Sequence, residues 1–239
     1  MKTGKNTVAQ MSKKYHDFMS LHRVTEKNSP HTHTRIPGKG GKLFGGKFNI
    51  PHEELGEFYE LYYNYVIVNK NEEHLTEVQL KDDRSPILID LDFRYDMEIK
   101  ERPVEHNEEF KLTIIEIYMN NLKKILDFQP DVVIPVYIFE KPLVNIDQDN
   151  MRTKDGIHMI FGLQLAHKYQ EELRKMVLKD IQENKYDELS CLPITNSWDT
   201  VLDETICRGS TNWQLYGSNK PGNQKYNFER IINLTYDDD

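Results

Sequence analysis

The chain has 239 residues, 38% hydrophobic and 29% charged, enough to bury a substantial core as one large domain or two small lobes. No apolar run approaches the roughly 18–20 residues of a membrane span, and the first six residues lack the apolar stretch of a secretory signal. Two cysteines without a CxxC spacing argue against a disulfide scaffold and a four-thiolate zinc site; they point to an intracellular, reducing compartment, with Cys191 and Cys207 read as buried thiols.

The net charge of −8 is unevenly spread. Residues 1–50 hold ten Lys and Arg against only Asp17 and Glu26, whereas the remainder holds 21 basic and 37 acidic residues. A basic arm on an acidic body is the footprint of a polyanion-binding segment, which the overall pI would hide.

Val8, Met11, Tyr15, Phe18, Met19 and Leu21 recur at helical spacing and predict an amphipathic helix over 7–22. His31–Pro51 carries five glycines, two prolines and four cations (Arg35, Lys39, Lys42 and Lys47), which predicts a loop or hairpin. Its backbone can follow a phosphate chain, with Phe44 and Phe48 available for stacking; a plain solvated hairpin is the alternative. The segment lacks P-loop spacing. Residues 53–65 predict a helix, 66–68 a short strand, and 71–81 a polar connection.

Pro86-Ile-Leu-Ile-Asp-Leu-Asp-Phe93 reads as a buried strand with two carboxylates two residues apart. Alternation puts Ile87, Ile89, Leu91 and Phe93 on one face and Asp90 and Asp92 on the other. Adjacent carboxylates repel, and a divalent cation such as Mg²⁺ or Mn²⁺ relieves the repulsion. A sheet edge whose aspartates meet Lys, Arg or water is the alternative.

Residues 107–128 predict a long amphipathic helix, and 131–140 a strand that Pro135 assigns to an edge or bulge. A polar loop over 141–155 leads into an apolar strand over 156–162. Period two puts Lys154, Gly156 and His158 on one face and Ile157, Met159 and Phe161 on the other. A helix follows over 166–183, and a strand with a Gly-Ser turn over 212–220. Trp198, Trp213 and Tyr216 read as core. The fold class is α/β (α+β): a mixed, largely antiparallel sheet with helices on one face, organised as an N-terminal lobe over 1–80 and a catalytic sheet with its helices over 81–239.

Leu88-Ile-Asp-Leu-Asp92, then Gly156-Ile-His158, then Leu202-Asp203 resemble the hhhDhD/E, sxH and hD/hE motifs of the archaeo-eukaryotic primase superfamily. The motifs resemble especially the primase–polymerase domain of primase-helicases from large DNA viruses. The likeness spans roughly residues 85–220 and extends to 30–80 in the viral relatives. The resemblance implies a DNA-dependent primase–polymerase that synthesises or extends primers on a single-stranded DNA template from NTP or dNTP substrates. It implies that Asp90, Asp92 and Asp203 hold one or two Mg²⁺ or Mn²⁺ ions. It implies that Lys154, His158 and Lys220 contact the triphosphate, with Arg35, Lys39 and Lys42 on the nucleic acid. It also implies a helicase domain downstream in the same polypeptide and, for a viral protein, a replication site in the host cytoplasm or nucleus. The chain departs from the pattern at Gly156, where relatives often carry Ser, and at Gln214, where many carry Arg that Arg208 would have to replace.

Two other classes compete. A non-catalytic nucleic-acid-binding module would use the basic arm but would not need Asp90, Asp92 and His158 together. A DxD phosphatase of the haloacid dehalogenase type would use an aspartyl nucleophile. Arg94 stands where that family wants Thr or Val.

Overall fold

The computed structural model describes residues 8–38, 43–79 and 84–235. The chain forms two compact units. One comprises residues up to 79 together with 212–225, and the other comprises 80–211 together with the segment from 226 onward.

In the first unit, helix α1 (Val8–Leu21) buries Tyr15, Phe18 and Met19 against α2 (Leu55–Tyr62). The glycine-rich stretch is a hairpin: β2 (His33–Arg35) pairs antiparallel with β3 (Gly46–Phe48). The five-stranded sheet runs β1 (Arg23–Val24), β3, β2, β4 (Leu75–Glu77), β9 (Trp213–Gln214). The predicted strand over 66–68 is instead the end of a π-helical turn, Tyr63–Val68. There the burial of Tyr62, Tyr65 and Val66 in the unit's core outweighs the strand preference of two valines and an isoleucine. The predicted strand over 212–220 shrinks to the two residues of β9, which pair with β4. Tyr216 is exposed, contrary to its assignment to the core, while Trp213 is half-buried.

The second unit is built on a sheet ordered β10 (Asn227–Thr235), β6 (Val133–Glu140), β8 (Arg152–Ala166), β5 (Arg84–Asp96), with β7 (Asn145–Asp147) beside β8. Every pairing is antiparallel. Both central strands exceed their predicted lengths, because the polar residues 152–155 continue the ladder opposite residues 93–96. Ile87, Ile89, Leu91 and Phe93 of β5 and Ile157, Met159 and Phe161 of β8 share the inner face, as alternation predicts. That face packs on α3 (Glu108–Leu122) and α4 (His167–Glu183). Asn107 caps α3, its side chain accepting from the Phe110 amide at 3.1 Å. Three one-turn helices, α5 (Asp187–Ser190), α6 (Trp198–Val201) and α7 (Glu204–Cys207), follow α4.

Strand β6 lies between β10 and β8, so the edge position predicted from Pro135 does not hold. The missing amide is tolerated because pairing with β8 begins only at Val136. Gly162 leaves room for the proline ring: a Cβ there would sit 2.6 Å from Pro135 Cγ. Cys207 is buried as predicted, whereas Cys191 is exposed; both thiols are free. No helix among the described residues is long and apolar enough to cross a membrane.

Candidate active site

The register of the β5–β8 pair assembles the site. Asp90 faces His158 and Asp92 faces Gly156 across the ladder, so both carboxylates and the imidazole lie on the outer face, away from α3 and α4. Asp90 Oδ1 stands 3.4 Å from His158 Nε2. Asp92 is exposed and Asp90 half-buried, while every inner-face neighbour from Ile87 to Tyr95 is buried.

The outer edge of β5 would present unpaired backbone groups, and the segment 194–203 covers it. Thr195 N donates to Arg94 O at 2.7 Å, Asn196 Nδ2 to Asp92 O at 2.9 Å, and Asp203 N to Asp90 O at 3.1 Å. Leu202 bridges Leu91. Arg174, buried on α4, donates from Nε to Leu202 O at 2.9 Å and from Nη2 to Asp199 O at 2.6 Å. The Leu202–Asp203 corner is thus tied to both strand and helix. This places the Asp203 backbone beside Asp90 although 112 residues of chain separate them. Its carboxylate, however, caps α7: Oδ1 accepts from Thr205 N at 2.7 Å and from Thr205 Oγ1 at 2.8 Å. Arg208, the candidate stand-in for the arginine lacking at 214, is paired with Glu204 on the same short helix.

Lys154 shares the outer face, but its Nζ lies 2.6 Å from Asp147 Oδ2. Hydrogen bonds from Lys154 first, then from Asn150 and Arg152, hold the Asp147 carboxyl well below the usual carboxylate range. Lys220 and Gln214 belong to the first unit; Lys220 is exposed, and Gln214 Nε2 donates to Ser218 O at 2.6 Å.

The basic arm divides. Lys39 and Lys42 lie outside the described residues. Arg35 is buried and grips Glu73 through two contacts, Nε–Oε1 at 2.8 Å and Nη2–Oε2 at 2.7 Å. Tyr15 donates to the same carboxylate at 2.7 Å. Phe48, buried beneath the Arg35 guanidinium, is likewise part of the core, whereas Phe44 is exposed. Arg35 therefore serves the interior of its unit, because an unpaired Glu73 there would be costly.

One central residue escapes sequence reading. Tyr226 stacks on His158 with ring centroids 3.6 Å apart and planes 18° apart. A Cβ at Gly156 would lie 2.6 Å from the Tyr226 hydroxyl and 3.0 Å from Lys141 Nζ, so the space a serine would fill is already taken. Burial first, then the negative charge of Asp90, Asp92 and Asp155, pushes the Tyr226 hydroxyl far above its ordinary pKa. Tyr226 lies 68 residues beyond His158 in a polar stretch without periodicity, and no local signal marks it.

The donor set fits a hard divalent cation. Two carboxylates project side by side from a rigid strand onto an accessible face, and their field already reaches the Tyr226 hydroxyl. Among the described residues, no group of three or more His, Cys, Asp or Glu side chains stands together as a metal cluster. Asp90 and Asp92 are therefore the core of the set, and Asp203 would join it only by leaving its cap on α7.

No curated protein matches the chain. A family model described as the C962R protein N-terminal AEP domain matches residues 40–232, well over half of the chain. With the sheet, the paired aspartates and the facing histidine in place, the chain belongs to the archaeo-eukaryotic primase family, in the form found at the N-terminus of C962R-type viral primase-helicases.

Proposed function

We propose that the chain is a DNA-dependent primase–polymerase that adds NTP or dNTP units to a primer on a single-stranded DNA template. The observation that carries this reading is the register that puts Asp90, Asp92 and His158 on one open face of a sheet whose other face is fully committed to the core. Membership of a primase–polymerase family supports it.

Asp90 and Asp92, with Asp203 as a third candidate ligand, would hold one or two Mg²⁺ or Mn²⁺ ions. When bound, such ions activate the attacking hydroxyl and neutralise charge on the leaving pyrophosphate. The chain's own groups do the rest. Strand β5, fastened on one edge by β8 and on the other by residues 194–203, fixes the two carboxylates relative to one another. His158, held between Asp90 and the Tyr226 ring, presents an imidazole beside them for a phosphate oxygen. Lys39 and Lys42, with the other cations of the basic arm, are candidates to contact the template's phosphates. A helicase domain in the same polypeptide and an intracellular replication site accord with this reading.

The test is template-dependent incorporation of labelled nucleotides with Mg²⁺ or Mn²⁺. The wild-type chain extends a primer, and Asp90→Ala combined with Asp92→Ala reduces extension to background while template binding persists. Extension by the double variant at the wild-type rate would reject the assignment.

A further inference from the structure

The family pattern points to Lys154 as the strand cation that meets the triphosphate, yet its ammonium is committed to Asp147 at 2.6 Å. Asp147 is also held by Arg152 Nε at 3.3 Å and by Asn150 Nδ2 at 2.9 Å, so moving Lys154 to a triphosphate breaks one ion pair and leaves Asp147 with these two partners. A different lysine stands at the site. Lys141 follows the last residue of β6, and its Nζ reaches the space over Gly156, the residue directly across the ladder from Asp92. Among the described residues, the Lys141 ammonium has no carboxylate partner. It lies 5.1 Å from the centre of the Tyr226 ring, whose other contact is the stack on His158. The Lys141 backbone is fixed independently, since its carbonyl accepts from Arg102 Nη2 at 2.7 Å.

Resting on the polymerase reading above, we propose that Lys141 is the principal triphosphate-binding cation of this chain and that Tyr226 holds it in place over Gly156. An ammonium steered by an aromatic face and lacking an acidic partner is ready to donate to phosphate oxygens. It needs no internal pair broken first, unlike Lys154. The glycine at 156 is then part of the same device: with no side chain there, the tyrosine hydroxyl and the lysine can both occupy the floor of the face. A serine in that place would displace one or the other.

The test is calorimetric titration of the full chain with dATP, and separately with deoxyadenosine, in Mg²⁺ and without primer or template, so that no turnover is needed. Lys141→Ala weakens dATP binding about tenfold, the loss of one charged hydrogen bond, and leaves deoxyadenosine binding unchanged. Lys141→Arg stays within about threefold of wild type, because the charge remains. Lys154→Ala weakens binding less than Lys141→Ala. The proposal is overturned if the wild type does not bind dATP, if Lys141→Ala binds it like the wild type, or if Lys154→Ala causes the larger loss. Primer extension by the same wild-type preparation separates the two readings. Extension together with Lys141-independent dATP binding removes this proposal and leaves the polymerase reading. Lys141-dependent binding without extension removes the polymerase reading and leaves the nucleotide site.

Discussion

The two faces of the β5–β8 pair are made by the same residues in alternation, yet they do opposite work. The inner face is almost wholly apolar and closed by α3 and α4, with Asp155 as its one buried carboxylate. That carboxylate is matched: Arg102 contacts it through Nε at 2.6 Å and Nη2 at 2.8 Å, and the Gly156 amide donates to it at 2.9 Å. The outer face carries Asp90 and Asp92 side by side, with Asp90 Oδ1 3.4 Å from His158 Nε2. Charge on the inner face is enclosed and gripped by an arginine, whereas the paired carboxylates of the outer face stand where solvent and a ligand can reach them. A strand secured on one side can thus carry repelling groups on the other without losing its place.

Breaking the inner face has the largest consequence. Asp155→Ala removes the buried half of the Arg102 pair, leaving the guanidinium with Glu140 and the Lys141 carbonyl, and costs about 3 kcal/mol, seen as a fall in the denaturant midpoint. If stability is unchanged, the Arg102 pair is not what secures the end of the sheet.

Acid acts next, through a histidine behind the same face. His106, packed edge-on to Phe93 and Phe110, is lowered by burial to about 4 from 6.5. His33 in the first unit is lowered to about 4 by burial as well. In each case the folded state resists protonation, so between pH 6.5 and 4 the unfolded chain binds more protons. Stability therefore falls as pH drops through that window and this contribution levels off below it, each histidine withdrawing roughly 3 kcal/mol. His106→Gln should flatten the part of the pH–stability profile that belongs to the second unit. An identical profile would remove His106 as the cause.

A smaller change separates packing from charge on the outer face. Gly156→Ala places a Cβ against the Tyr226 hydroxyl and costs about 1–3 kcal/mol. Adding Tyr226→Phe removes the clashing oxygen and should recover most of that loss. If the double variant is no more stable than Gly156→Ala, the hydroxyl is not the obstacle.

Much of this arrangement was legible in the residues. Period-two alternation alone divides Asp90 and Asp92 from Ile89 and Leu91, and Lys154 and His158 from Ile157 and Met159, because strand geometry leaves no other choice. The helix after Asn107 was legible too, through its apolar spacing, although it ends at Leu122, short of the predicted 128. What local pattern cannot carry is partnership across long sequence distances. Arg35 reads as a phosphate contact until Glu73, 38 residues later, is found beside it. Nearer in sequence, Lys154, which the resemblance implies as a triphosphate contact, pairs with Asp147. Tyr226 and Lys141 become site residues only when β10 and β6 bring their ends alongside Gly156. Pro135 looked like an edge signal because sequence does not show where the pairing with β8 stops.

The contrast between the faces comes down to whether Asp90 and Asp92 hold a cation. Asp90→Asn combined with Asp92→Asn keeps the side-chain volumes and should leave the metal-free chain folded, with a change of about 1 kcal/mol that includes the altered Asp90–His158 contact. The decisive measurement is Mn²⁺ binding to that double variant and to the wild type, followed by electron paramagnetic resonance of free Mn²⁺. The wild-type chain should deplete the free signal at a saturable site, and the folded double variant should leave it intact. Equal depletion by both proteins would place the cation elsewhere and contradict the account.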